Sequence, residues 1–141
     1  MPVTILHDKS GISRLELNRL AHHVGWGEAY YPDEAQWQRV LAASTYVAYA
    51  RDEAGHLVCF GRILEDGKMC MFYDVCVRPD HQGRKVGSKL MHYLIDIIKD
   101  KQYASIGLLI ETDNPSAQHF YAKLGFEAAP AMELKKYMWD P

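Results

Sequence analysis

VCVRPDHQGRKVGSKLM, residues 75–91, carries three local signals in one short stretch. Val75 to Val77 read as the end of a buried strand, which Pro79 stops because it has no amide to give to a ladder. A polar loop around Gly83 follows. Val86, Leu90, Tyr93, Leu94 and Ile97 then recur at helical spacing, so a helix is expected from about Arg84 to Asp100. The first turn of a helix leaves amides unpaired and carries the positive end of the macrodipole, so main-chain donors there can hold a diphosphate. Gly83 and Gly87 let the backbone come close, and Arg84, Lys85 and Lys89 bring positive charge. An ordinary solvated helix start carries the same features, so physical reading alone leaves both possibilities standing.

Upstream, Thr45 to Ala50, His56 to Leu64 and Met69 to Val77 alternate as strands separated by turns at Asp52 to Gly55 and Glu65 to Lys68. Three strands with short connections predict an antiparallel meander. Val3 to Leu6 reads as a short first strand. Ser13 and Glu16 have capping-box spacing ahead of Leu17, Leu20 and Val24, and Gly25 is placed to end that helix. Pro32 suits the first position of a second helix bearing Trp37, Val40 and Leu41. Downstream, SIGLLIE (residues 105–111) reads as a buried strand, which makes strand, helix and strand a right-handed parallel crossover. Asn114-Pro115 opens another helix, with Ala117, Phe120, Tyr121 and Leu124 on one side and Gly125 at its end. MELKKYMW, residues 132–139, reads as a last strand.

A chain of 141 residues, 48% hydrophobic and 24% charged, fits one domain with its own core, so residues 1–141 are expected to form a single α/β (α+β) domain. A formal charge of -2 argues against nucleic acid or an anionic membrane as a bulk partner. No run approaches the ~20 apolar residues of a membrane span and the start lacks a secretory signal, so a cytoplasmic protein is expected. Cys59, Cys70 and Cys76 lie in predicted strands without C-x-x-C spacing and read as buried reduced thiols. His22 and His23 are adjacent and point to different helix sides, and no ligand spacing occurs elsewhere, so no metal is expected.

Neither G-x-x-x-x-G-K-[ST] nor G-x-G-x-x-G is present, which removes the familiar nucleotide loops. Val75 to Leu90 instead resembles the acetyl-CoA motif of the GNAT superfamily of N-acetyltransferases, Arg/Gln-x-x-Gly-x-Gly/Ala after a Val-x-Pro-like turn. Gln82, Gly87 and Val77-Arg78-Pro79 match it. Asn114-Pro115-Ser116-Ala117, Phe120-Tyr121 and Leu124-Gly125-Phe126 resemble that family's helix and following strand near the coenzyme thiol. Lys85 departs from the pattern, standing at its first glycine. We expect it to keep helical dihedrals and to offer an ammonium to the diphosphate.

The resemblance implies a GNAT-like fold with a mixed sheet of about six to seven strands and about four helices. It implies transfer of acetyl from acetyl-CoA to a primary amine within a ternary complex. Cys76, Val77, Gln82, Gly83, Arg84, Lys85, Val86, Gly87, Ser88, Asn114 and Tyr121 are the implied coenzyme contacts. Tyr121 is the implied proton donor to the leaving thiolate, although its apolar helix face also suits plain packing. Tyr73, Asp74 and Glu111 flank the implied cleft and are open alternatives for the base. Trp26, Glu28 and Tyr30 form the expected acceptor wall, whose aromatic faces and carboxylate suit a cation such as a small amine or polyamine. A protein lysine or N-terminal acetyltransferase and a silent acyl-CoA-binding module remain as alternatives, and a homodimer is the common assembly.

Overall fold

Three strands form the predicted meander: β1 (Tyr46–Arg51), β2 (Leu57–Glu65) and β3 (Met69–Val77). These belong to a computed structural model that describes residues 3–136. Asp52 closes the first turn by accepting the His56 amide at 2.9 Å, and Asp66 closes the second by accepting the amides of Lys68 and Met69. β4 (Ser105–Gly107) joins β3 in parallel, giving the mixed order β1-β2-β3-β4.

Four strands form among the described residues, where six to seven are expected from the sequence. Leu6 makes a single bridge to Tyr49 before Asp8 turns the chain into a short 3-10 turn at Lys9–Gly11, so Val3 to Leu6 is no strand. SIGLLIE pairs with β3 only through Gly107, so the expected seven-residue strand is three residues long. Residues 132–136 are not strand, and the rest of the expected last strand, 137–139, lies outside the described residues.

Residues 1–109 and 110–141 are two compact units. In the first, α1 (Arg14–His23) starts on the expected capping box, with Ser13 and Glu16 each capping the other, and ends at Gly25. α2 (Glu34–Ala43) is capped by Asp33, whose carboxylate accepts the Gln36 amide at 2.9 Å. Pro32 therefore sits one residue outside the helix instead of at its first position, since an acidic cap satisfies an orphan amide that proline cannot. Trp37 of α2 packs on Phe60 of β2, within a core shared by Leu17, Leu20, Leu41 and Tyr49. Gly61, the next residue, faces the other way. A Cβ there would meet Leu94 of α3 (Val86–Ile98) at 3.2 Å, so α3 covers the opposite side of the sheet. Val86, Leu90, Met91, Leu94 and Ile98 are the buried stripe of α3.

In the second unit, α4 (Pro115–Lys123) begins as expected, with Asn114 accepting the Ala117 amide at 3.1 Å and Pro115 in the first turn. Gly125 follows its end at a φ of +95°, a conformation that a side chain would oppose.

Candidate active site

The loop between β3 and α3 differs from the other helix entries. Ser13, Asp33 and Asn114 cap α1, α2 and α4 with their own side chains, whereas α3 has no side-chain cap. The amides of Val86, Gly87 and Ser88 have no carbonyl one turn earlier within the helix, and they gather at its positive end. Gly83 at φ +82° and Lys85 at φ 62° give the loop two left-handed residues just ahead of the helix. Gln82 braces the approach by donating to the Val77 carbonyl at 3.0 Å. Arg84 and Lys85 are exposed around it, whereas the Lys89 ammonium, expected to add charge here, donates to the Val3 carbonyl.

Lys85 is left-handed, not helical as expected. It serves as the N-cap residue, with φ 62° and ψ 16°, and α3 therefore starts at Val86, two residues later than the sequence pattern suggests. Lysine adopts this left-handed backbone at a cost of roughly 1–2 kcal/mol.

Beside the loop, β3 and β4 pair at Met69↔Ser105, Cys70↔Ile106 and Met71↔Gly107 and nowhere further. β3 continues for six more residues to Val77, and the parallel ladder does not extend along Tyr73 to Val77. On its other side the ladder to β2 is irregular: Arg62 faces Tyr73 and Phe60 faces Cys76, leaving Asp74 and Val75 opposite Gly61 alone. Asp74 is the extra residue of this bulge, and its φ of 56° turns its side chain toward the segment between α1 and α2.

There the carboxylate gathers three donors. Tyr30 Oη donates to Oδ1 at 2.6 Å, while Arg62 Nε donates to Oδ2 at 2.8 Å and the Tyr31 hydroxyl donates to that same oxygen. The Asp74 side chain is 7% exposed and that of Arg62 15%, so this ion pair is largely out of water. Partial burial, then the Asp74 carboxylate, hold both phenols well above the ordinary tyrosine range. Trp26 packs on Tyr30 with the rings tilted by 34° and their centroids 5.0 Å apart, and both stay partly exposed. Glu28 lies at the surface, 3.8 Å from His22.

Cys76 is buried, and burial followed by the Asp74 charge pushes its thiol far above the usual cysteine value. Tyr73 lies on β3 with the Arg62 guanidinium over its ring, 5.1 Å from the centroid. Tyr121 and Glu111 belong to the second unit. Tyr121 is buried on α4 and packs edge-on against Phe120 and Phe126, at 5.0 and 5.8 Å, while Glu111 is exposed. No group of three His, Cys, Asp or Glu side chains among the described residues could hold a metal ion.

Arg62 is absent from the residues picked out by sequence. Arg62 does leave a trace: a lone charge within HLVCFGRIL needs a partner if the strand is buried. Its partner was invisible, because no spacing rule announces a bulge at Asp74.

Residues 13–126 match the acetyltransferase (GNAT) family. The chain belongs to that family. Among its relatives, an uncharacterized N-acetyltransferase, ycf52, of Porphyra purpurea is 30% identical over 137 residues, covering 96% of this chain and 76% of the relative. A mycothiol acetyltransferase of Tsukamurella paurometabola is 39% identical over 117 residues, covering 70% of this chain and 40% of the relative. A probable acetyltransferase from Staphylococcus aureus superposes with a TM-score of 0.79 at 20% identity, over 96% of this chain and 100% of that one. AAC(6')-Iy, solved with the bisubstrate analogue CoA-S-monomethyl-acetylneamine, superposes with a TM-score of 0.74 at 14% identity, over 99% of this chain and 100% of that one. The chain is thus a GNAT-fold acetyltransferase, an acyl-transferring enzyme of mixed α/β architecture. No helix among the described residues is long and apolar enough to cross a membrane.

Proposed function

We propose that the protein moves an acetyl group from acetyl-CoA to a primary amine of a small molecule or polyamine, by direct attack within a ternary complex, and that residues 1–141 are one catalytic domain. The observation that carries this reading is the early end of the β3–β4 ladder beside the uncapped start of α3. Coenzyme A has a diphosphate and an amide-bearing arm, and these two features fit it in turn. Amides of the loop and first turn, at Gly83 and from Lys85 to Ser88, hold the diphosphate with the Arg84 and Lys85 side chains beside them, the Arg84 amide being already bonded to the His81 carbonyl. Main chain at Cys76 and Val77 receives the arm, and an amide there is suited to an oxyanion. Bound there, the coenzyme supplies the activated acetyl group. The family match supports one domain, since it runs through both compact units.

Buried thiols of raised pKa support direct attack over an acyl-cysteine, because a thiolate nucleophile needs an accessible group of lowered pKa. The resemblance gives Tyr121 the role of protonating the leaving thiolate and Asn114 a place near the coenzyme. An alkylammonium near pKa ~10.4 must lose a proton before attack. Tyr73 and Glu111 keep oxygens that no described side chain engages, so the base falls to one of them, whereas both Asp74 oxygens already accept bonds. Trp26, Tyr30 and Glu28 form the acceptor wall. A fold neighbour named as an aminoglycoside acetyltransferase, and AAC(6')-Iy bound to an acetylneamine bisubstrate analogue, are in keeping with a small amine.

Thiol release from acetyl-CoA with n-butylamine, spermidine, neamine, a lysine peptide and a free N-terminal peptide tests this. Turnover confined to the first three is expected. Faster turnover of a peptide moves the assignment to protein acetylation, and tight coenzyme binding with no turnover on any amine makes the chain a silent acyl-CoA module.

A further inference from the structure

A tyrosine hydroxyl offers one hydrogen and two acceptor lone pairs, and an ionised carboxylate can only accept. At the bulge this fixes the sense of every bond. Arg62 pairs with Asp74 and keeps it a carboxylate, so Tyr30 spends its hydrogen on Oδ1 and turns its lone pairs away from Asp74. Tyr31 and Arg62 meet on the other oxygen. Tyr31 is itself held rigidly: its amide donates to Asn18 Oδ1 at 2.8 Å and its carbonyl accepts from Asn18 Nδ2 at 2.9 Å. Tyr31 and Asn18 are buried, whereas the Tyr30 ring, 37% exposed, lies on the expected acceptor wall beside Trp26. The charges of Asp74 and Arg62 cancel, so the cluster presents an acceptor oxygen without net negative charge.

We infer that the Tyr30 hydroxyl accepts a hydrogen bond from the attacking amine nitrogen, and that Asp74, Arg62 and Tyr31 are positioning residues that keep this hydroxyl facing outward as an acceptor. The inference rests on the acetyltransfer reading above. A net carboxylate charge at this place would favour the ammonium, the form that cannot attack. A neutral, preoriented oxygen instead aligns the amine lone pair without that penalty. Because both phenols sit above their ordinary range, neither loses its proton during turnover near neutral pH.

The test uses the full chain with acetyl-CoA and whichever of n-butylamine, spermidine and neamine the wild type turns over fastest. Tyr30→Phe keeps the ring and its contact with Trp26. Its kcat is expected to fall tenfold or more, with the acetyl-CoA KM within twofold and Tm within a few degrees of wild type. Asp74→Asn is expected to lower kcat in the wild type but to add nothing in the Tyr30→Phe background, a coupling that a merely structural role would not produce. Should Asp74→Asn fail to fold, Tyr31→Phe replaces it in the same cycle. Wild-type kcat in Tyr30→Phe, or losses that simply multiply, would overturn the inference alone. No thiol release by the wild type from any amine overturns the acetyltransfer reading and this inference together.

Discussion

Replacing Lys85 by glycine separates two effects that share one residue. The left-handed backbone costs lysine roughly 1–2 kcal/mol, and glycine recovers this less the ~0.4–1 kcal/mol of extra freedom it brings to the unfolded chain. Net stabilisation of about 0.8 kcal/mol remains. At ~2.1 cal/mol/K per residue, 141 residues unfold with an entropy of about 0.3 kcal/mol/K, so Tm should rise by about 2–3 °C. Coenzyme binding should move the other way. An exposed ammonium beside a phosphate contributes ~0.5–1 kcal/mol, so Lys85→Gly should weaken coenzyme A about two- to fivefold at 50 mM salt, with the difference closing toward 1 M as screening shortens to ~3 Å. Calorimetric titration at the two salt concentrations and a thermal melt read both. Tighter binding with unchanged salt dependence would refute the charge role, and an unchanged or lowered Tm would refute the strain.

Tyr121→Phe should lower kcat at least tenfold in the thiol-release assay while its ring contacts with Phe120 and Phe126 persist; equal turnover would leave Tyr121 a packing residue. Burial opposes the charge of Glu16, but Arg51 at 3.0 Å and the Ser13 amide outweigh it and hold the carboxyl below its ordinary value. Stability from this group is therefore complete above the unfolded Glu pKa of ~4.3 and is lost as pH falls through the lower folded value. Denaturant melts should show wild type more stable than Glu16→Gln at pH 7, with the gap narrowing as the pH is lowered through the acid range. Burial pushes the Cys59 thiol up to about 12 and Cys70 up to about 11, so a thiol-specific reagent at pH 8 should label all three cysteines only after unfolding. Rapid labelling of the native chain would contradict this.

Elements whose signals are local were legible beforehand. The capping box of Ser13 and Glu16, the Asn114-Pro115 entry and the two meander turns depend on neighbours within a few residues, and each formed as read. Whatever depends on partners far along the chain was not. The short life of β4 comes from where its pairing with β3 ends, and the conformation of Lys85 from how the loop must meet α3. The pairing of Arg62 with Asp74 needs a bulge that alternation alone does not reveal. The coenzyme loop was thus readable in outline, and the acceptor wall only as a group of aromatic residues.

Asp74 is supernumerary in its strand. Were it deleted, Tyr73, Val75 and Cys76 would face Arg62, Gly61 and Phe60 in unbroken succession, and no flanking side chain would change sides. Regular pairing is therefore within one codon of this sequence. A chain that forgoes it, and accepts a left-handed aspartate mid-strand, binds its loop between helices to its sheet through a residue the sheet itself does not require.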